Sequence, residues 1–263
     1  RQIFGAPALL SIKRPPPMAS ICMVAILSFS CSLNGVANLT FSLQVSHIQG
    51  SSFQSFSQND NPKPVPLIEG TILSHKQPFA VLVAKDSYIA LDSPDKSKIR
   101  IGQQSVVEFY QMDRVSILKG SILVAFPKIK TIIFETKGTN IELTGLGTFM
   151  FESPKGSDLK IIMLEGKAML RCGNSKLNIK PGELVLAQTN TRDFSQVIKV
   201  DLPLLITTSR LINNYPTPLP TQSKLISAAK VQAIRLKKKY EALIGNTNEK
   251  NQLKLWAIKK AQK

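Results

Sequence analysis

The sequence predicts an all-β domain, either a short-stranded β-solenoid or a β-sandwich, followed by a Pro-rich linker and a basic C-terminal helix. Between residues 67 and 203, apolar runs of 3 to 6 residues recur every 8 to 12 residues. This spacing is typical of sandwiches, barrels and solenoids. No stretch of this range keeps the 3.6-residue period of a helix. We therefore expect one β domain over residues 67–203.

A longer period points towards the solenoid. Four glycines lie 18 residues apart, at Gly102, Gly120, Gly138 and Gly156. Two strands and two turns within 18 residues would form one coil, and stacked coils bury their inward residues against each other. The alternative is a coincidence within a turn-rich β protein, which leaves the sandwich open.

Residues 1–37 are predicted to be a signal peptide or an N-terminal anchor. The apolar run Ile21–Leu27 follows two basic residues, unless translation starts at Met18, and Gly35–Ala37 supplies the small residues that a signal peptidase reads. Several serines make the segment a poor full membrane span. We expect cleavage after Ala37 and export to the periplasm or cell envelope, with anchoring through residues 19–37 as the alternative.

Residues 38–66 are rich in Ser, Gln and Asn and end in a Pro-containing run. This composition predicts an extended linker between the signal segment and the β domain.

The scarcity of His and Cys argues against most enzyme classes. The chain has two histidines, His47 and His75, and Cys172 is the single cysteine after the predicted cleavage site. Ser-His-Asp hydrolases and His-ligated metal enzymes need His inside the folded domain, and a lone Cys closes no intrachain disulfide. We therefore predict no catalytic, cofactor-binding or metal-binding residues, and no enzymatic activity.

Carboxylates are the remaining route to catalysis, because a glycosidase needs only a pair of them. The acidic side chains of the predicted strands are expected to be ordinary turn or outward-facing residues. They are Glu135, Glu142, Glu152 and Glu165.

The net charge of +17 is concentrated at the C-terminus. Residues 221–263 carry 11 Lys and Arg against 2 acidic residues, whereas the predicted β domain is nearly balanced. Such a tail can meet an acidic partner or an anionic surface. Aromatic residues are not interleaved with its lysines, so a specific nucleic-acid partner is not expected.

Three motifs in the middle of the chain resemble the FecR family, the periplasmic sensory domain first known from iron-citrate anti-sigma regulators. They are the run Gly147–Phe151, which reads GTFMF, the run Ile161–Ala168, which contains Glu-Gly, and the run Ile179–Leu186 around Gly182. The resemblance covers residues 68–187, and upstream it includes Lys119-Gly120-Ser121.

The resemblance implies an exported FecR-type domain. Since 17 residues precede the apolar N-terminal segment, we expect it to lack the cytoplasmic σ-binding domain of the anti-sigma members. We interpret the motif residues as structural: Gly166 and Gly182 at turns that need positive φ, and Phe149 and Phe151 on one strand face. The full set is Gly120, Gly147, Thr148, Phe149, Phe151, Glu165, Gly166 and Gly182.

The C-terminal part is predicted as a linker over 204–220 and a helical tail over 221–263. Three prolines in Asn213–Pro220 predict a semi-rigid spacer. Apolar residues then follow with alternating spacings of 3 and 4, and a shorter basic helix is expected from Glu249 to Lys260. The seam consists of Ile226, Ala229, Ala233, Leu236, Tyr240 and Leu243. It could dock on its own domain, pair with a second copy, or contact an anionic surface.

Together these patterns predict an exported, non-enzymatic FecR-type protein that binds a protein or envelope component in signalling. The alternative is a structural envelope protein that self-associates through the C-terminal helix. No cofactor is expected, and the identity of the partner is left open.

Overall fold

The computed structural model of the protein describes residues 42–56, 63–74, 78–111, 113–136, 139–153, 158–247 and 253–259. The predicted signal peptide or anchor lies outside these ranges, as do His75, Gly138 and Gly156. From residue 236 onwards only the backbone is described.

Strands dominate the fold, which confirms the predicted all-β class. They are β1 (Ser42–Gln49), β2 (Ser52–Phe56), β3 (Val65–Pro66), β4 (Ile72–Ser74), β5 (Phe79–Val83), β6 (Tyr88–Asp92), β7 (Lys98–Ile101), β8 (Ser105–Gln111), β9 (Arg114–Thr136), β10 (Thr139–Ser153), β11 (Leu159–Cys172), β12 (Ser175–Ile179), β13 (Glu183–Gln188), β14 (Asp193–Phe194), β15 (Ile198–Lys199), β16 (Tyr240–Thr247) and β17 (Leu253–Lys259). The helices are α1 (Leu202–Thr208), α2 (Arg210–Asn213) and α3 (Gln222–Lys239).

The first fifteen strands form one branched sheet. Its main path has the order β14-β13-β11-β10-β9-β7-β6-β1-β4, and a branch runs from β9 through β8, β5 and β2 to β3. Every pairing recorded in the sheet is antiparallel. Successive coils of a solenoid wind in the same direction and pair in parallel, so the solenoid alternative is wrong.

The long strands explain why the 18-residue glycine spacing does not correspond to the coils of a solenoid. β9, β10 and β11 are 23, 15 and 14 residues long, in contrast to the short strands that were predicted. Strand β9 leaves β8 for β7 near Gly120, whose φ is +97°. A Cβ there would lie 2.1 Å from the Ser105 hydroxyl oxygen. Glycine therefore marks a bend within a strand rather than the end of a coil.

The predicted linker over 38–66 is wrong for the residues that the structure describes. Strand β1 pairs with β6 and β4, and β2 pairs with β5 and β3. Leu43 and Val45 are buried in the main core. Their alternation with polar residues is the period of a half-buried strand, and the high Ser and Gln content obscured it.

Two hydrophobic clusters lie on opposite faces of the sheet. The main core runs through the strands from β1 to β13 and contains Phe149 and Phe151, both fully buried. The ring centroids of Phe134 and Phe151 are 3.9 Å apart. Met150, between the two phenylalanines, faces the second cluster, where Leu123, Ala125, Ile162 and Leu164 meet the helices. The helices thus cover the outer face of β9, β10 and β11.

The predicted linker over 204–220 is also corrected, because it packs on the sheet. Leu211, Ile212 and Leu219 are buried in the second cluster, and Tyr215 is buried against Tyr88 and Ala90. The prolines prevent regular structure from residue 214 to residue 220, as expected, whereas α1 and α2 occupy most of residues 204–213. The apolar residues between them nevertheless give the segment a face that the sheet buries.

The C-terminal helix is present, but it is shorter than predicted, and the side that it buries differs from the predicted seam. α3 ends at Lys239, so Tyr240 and Leu243 belong to β16, and β17 replaces the predicted second helix. Leu225 is fully buried, whereas the neighbouring seam residue Ile226 is 43% exposed. The burial of Leu225 against the sheet sets the helix rotation, and the seam spacing alone could not reveal it. Residues 253–259 contain Trp256 and Ile258, residue types that are enriched in strands.

Candidate functional site

The family-like motif residues of β10 and β11 lie directly opposite each other. In the ladder, Gly147 pairs with Gly166 and Thr148 pairs with Glu165. The two glycines have φ values of +127° and +105°. A Cβ on Gly147 would lie 2.1 Å from the Glu165 carbonyl oxygen, and one on Gly166 would lie 2.2 Å from that of Leu146. Only glycine fits here, inside the strands rather than at the turn expected for Gly166.

Gly182 lies in the turn that leads into β13, with φ at +79°. Its N–H donates to the Met163 carbonyl at 2.8 Å, and its carbonyl accepts the Val200 N–H at 2.9 Å. It therefore joins the end of the sheet to the start of the helical segment.

Glu165 is the motif residue whose surroundings differ most from the expectation. It is 3% exposed beneath α3, not outward-facing in solvent. The Thr148 hydroxyl donates to its carboxylate at 2.9 Å, and Thr148 is also hydrogen-bonded to the Thr221 hydroxyl. Burial raises the pKa of Glu165, against the opposing effects of the Thr148 hydrogen bond and the charge of Lys224.

This polar cluster sits where α3 begins. The Thr221 carbonyl accepts the Leu225 N–H at 3.0 Å, which places Thr221 at the helix N-terminus. The partial positive charge of the helix end opposes the effect of burial on the carboxyl group, because it favours the charged form. The cluster therefore links the Gly-Thr and Glu-Gly motifs to the C-terminal helix, a connection to Thr221 and Lys224 that no sequence pattern indicated.

A buried arginine of the sheet holds α2 and the Pro-rich segment against the sheet. Arg100 in β7 is 1% exposed. Its guanidinium donates to the carbonyls of Leu211 and Ile212 at 2.9 Å and to that of Thr217 at 2.6 Å. It also lies 4.3 Å from the centroid of the Tyr215 ring. Burial lowers the pKa of Arg100 to about 10.

Residues 65–74, which we call the edge segment, are a candidate for protein recognition. The edge segment contains β3, which pairs with β2, and β4, which pairs with β1. Within the part of the chain that the structure describes, β3 and β4 have no other strand partner. The edge segment thus forms the open edge of both branches of the sheet.

The edge segment is anchored on its inner side and apolar on its outer side. Leu67 and Leu73 are buried in the main core. Glu69 accepts the Ile48 N–H at 2.9 Å and lies 2.9 Å from His47 Nδ1, and these partners lower the pKa of Glu69. Three aliphatic side chains face outward: Val65, Ile68 and Ile72, which are 53%, 71% and 66% exposed.

No group of three or more His, Cys, Asp or Glu side chains comes together as metal ligands among the described residues. For α1, α2 and α3, length and hydropathy together fall short of what a membrane span requires.

Comparison with known proteins gave matches in solved structures alone. No family model and no curated protein matches the chain. Two similar structures come from Parabacteroides distasonis ATCC 8503, and both are described as candidate anti-sigma factors. The first is 12% identical, with a TM-score of 0.40 over 70% of this chain and 100% of that one. The second is 11% identical, with a TM-score of 0.39 over 67% and 98%.

Proposed function

We propose that the chain is an exported, non-enzymatic FecR-type protein that binds a protein component of the cell envelope in signalling. The observation that carries this proposal is the edge segment, an open strand edge that displays three exposed aliphatic side chains. The FecR-like motifs support the family assignment, because Gly147, Thr148, Glu165 and Gly166 form one cross-strand unit rather than scattered matches.

The non-enzymatic part of the proposal is supported by burial. Glu165 lies beneath α3 at 3% exposure, and Cys172 is fully buried in the main core. A general acid or a nucleophile must be within hydrogen-bond reach of a substrate atom. Neither side chain offers that access.

The edge segment suits a partner that adds an extended strand. Strand edges expose unpaired N–H and C=O groups that can pair with another chain, and pockets or apolar side chains beside them supply specificity. The outward side chains of Ile68 and Ile72 lie beside β4 and would be covered by such a partner.

The experiment is affinity capture from an envelope extract with the full chain. The comparison is between the wild type, an edge variant carrying Ile68→Ser and Ile72→Ser, and a control carrying Ile129→Ser, which removes an equally exposed isoleucine from β9. We expect the wild type and the control to retain one partner that the edge variant loses. Equal capture by all three chains would contradict the use of the edge segment.

Self-association through the C-terminal helix is the second candidate. It is less favoured, because Ala229 of the seam packs with Leu225 and Ala228 against the sheet of the same chain. Sedimentation of the full chain over a concentration series tests it directly, and a mass that grows with concentration would support it.

A further inference from the structure

The segment that forms the helical layer carries positive charge without any acidic residue. Residues 202–239 contain seven Lys and Arg and no Asp or Glu. On the described part of α3, Lys224, Lys230 and Arg235 are all exposed. Asp201, the N-cap of α1, and the buried Glu165 lie beside this layer, but the segment's own charges are all positive and attract an approaching anion.

The solvent-facing side of α3 combines these charges with exposed aliphatic residues. Ile226, Lys230 and Ile234 are four residues apart and form one row along the helix. Val231 lies beside Ile234, three residues before it. Ile226, Val231 and Ile234 are 43%, 45% and 55% exposed. We call these four residues, together with Lys224 and Arg235, the outer face of α3.

The inner side of α3 is fixed, so the outer face keeps one orientation. Leu225 is buried in the second cluster with Ala228 and Ala229 packed beside it. The Gln232 side chain accepts the Leu202 N–H at 2.7 Å and donates to the Val200 carbonyl at 2.8 Å. The helix is thus already folded and oriented before any partner binds, which lowers the entropic cost of binding.

We propose that the outer face of α3 binds an anionic lipid surface, with the helix axis parallel to the membrane plane. Helices of this kind combine basic residues with aliphatic ones that enter the headgroup region. Lysine and arginine stems can lie along apolar surface while their charged ends stay in water, so Lys230 between Ile226 and Ile234 fits this contact.

The composition of α3 favours lipid over a protein partner. Protein interfaces are enriched in aromatic residues and Met and depleted of Lys. α3 has five lysines and neither an aromatic residue nor Met. A second copy of the chain is disfavoured for another reason: a two-fold contact brings the same patch together from both copies, and Lys230 would then approach its own like charge.

The test is vesicle co-sedimentation with the full chain. The measured quantity is the ratio of partition coefficients between vesicles with about 30% phosphatidylglycerol and pure phosphatidylcholine vesicles, in low salt. The ratio is chosen because apolar insertion by any other segment contributes to both vesicle types. We expect a ratio well above one that collapses in about 1 M salt, where the screening length falls to about 3 Å.

Matched variants locate the contact. Lys230→Gln and Arg235→Gln should each lower the ratio about fivefold, the change expected for one basic residue near an anionic surface. Ile234→Ser should weaken binding to anionic vesicles several-fold. The control variants Lys128→Gln and Ile129→Ser remove an exposed lysine and isoleucine from β9. They should leave unchanged both the ratio of partition coefficients and the binding to anionic vesicles. All these sites are exposed, and thermal melting will verify that each variant folds.

Three results would overturn the proposal. The first is a ratio near one for the wild type. The second is an equal loss in the β9 controls and the α3 variants. The third is an α3-dependent affinity for a polyglutamate peptide without a preference for anionic vesicles, which would identify an acidic protein as the partner. None of these results involves the edge segment, so its role in protein binding stands or fails separately.

Discussion

At the scale of single residues, Glu165 shows that a motif residue predicted to face solvent is buried when a helix covers the second face of the sheet. An acidic residue in an alternating strand is normally solvated. Here α3 covers it, and Thr148 and Thr221 replace water as its hydrogen-bonding environment. Burial raises the pKa of Glu165, so folding favours the protonated carboxyl.

This direction predicts a specific pH dependence. The folded-state pKa lies above the unfolded value of about 4.3, so the stabilisation from Glu165 is full below that value and is lost as the pH rises through the folded-state pKa. Glu165→Gln should remove this loss. Urea denaturation of both chains from about pH 4 to pH 8 should therefore give a difference in unfolding free energy that shifts in favour of the variant as the pH rises. A pH-independent difference would contradict it.

Phe149 gives a direct test of strand facing. Phe149→Ala should cost about 3–5 kcal/mol of unfolding free energy, the usual range for a buried phenylalanine. The measurement needs the full chain, because β1 and β2 belong to the same sheet. Ile129→Ala, at a site that is 73% exposed, serves as the control and should change stability little. An unchanged midpoint for Phe149→Ala would mean that this side chain is not in the core.

At the scale of elements, α3 shows why a helical period does not determine which side is buried. The apolar residues of Gln222–Lys239 permit more than one seam, since Leu225 and Ile226 are adjacent. The sheet buries Leu225, and the side chain of Gln232 fixes the same side through its two hydrogen bonds to residues 200 and 202.

Two neighbouring substitutions test this rotation. Leu225→Ala should destabilise the chain by about 2–5 kcal/mol, as expected for a buried leucine. Ile226→Ala should have an effect within about 0.5 kcal/mol, because the side chain lies on the exposed side of the helix, outside the hydrophobic clusters. Guanidinium denaturation of the two variants gives the comparison. A larger loss of stability for Ile226→Ala than for Leu225→Ala would contradict this rotation and support the seam that the sequence predicted.

At the scale of the whole molecule, the segment after residue 201 packs on the β domain as part of it and is not a separate tail. Arg100 holds residues 211–217 through three backbone carbonyls, and the second cluster joins helical residues to Leu123, Ala125, Ile162 and Leu164. The outer face of the sheet therefore depends on residues that the sequence assigned to a separate linker and tail.

A truncated chain tests this dependence. Ending the chain at residue 201 would expose the sheet side of the second cluster, and exposed apolar patches of this kind bind hydrophobic dyes and promote association. We expect the truncated chain to bind anilinonaphthalene sulfonate strongly and to melt at a lower temperature than the full chain. Weak dye binding and an unchanged melting temperature would show that the sheet does not need its helical layer.

The sequence by itself determined the β class and the common facing of Phe149 and Phe151, although it divided the long strands β9, β10 and β11 into shorter ones. These features follow from local periodicity and turn residues, which act within a few positions of the chain. It also located a C-terminal helix, because the alternating 3 and 4 spacing is a local property as well.

Only the tertiary structure decided what those elements pack against. Gly147 and Gly166 meet across two strands, Glu165 is covered by a helix that starts 57 residues later, and Arg100 binds carbonyls more than 110 residues away. Contacts of this kind leave no periodic trace in the sequence. Burial of a polar side chain depends on which distant segments pack together. For the same reason, the tertiary structure alone shows that the predicted linker and tail belong to the domain, because they cover the second face of the sheet.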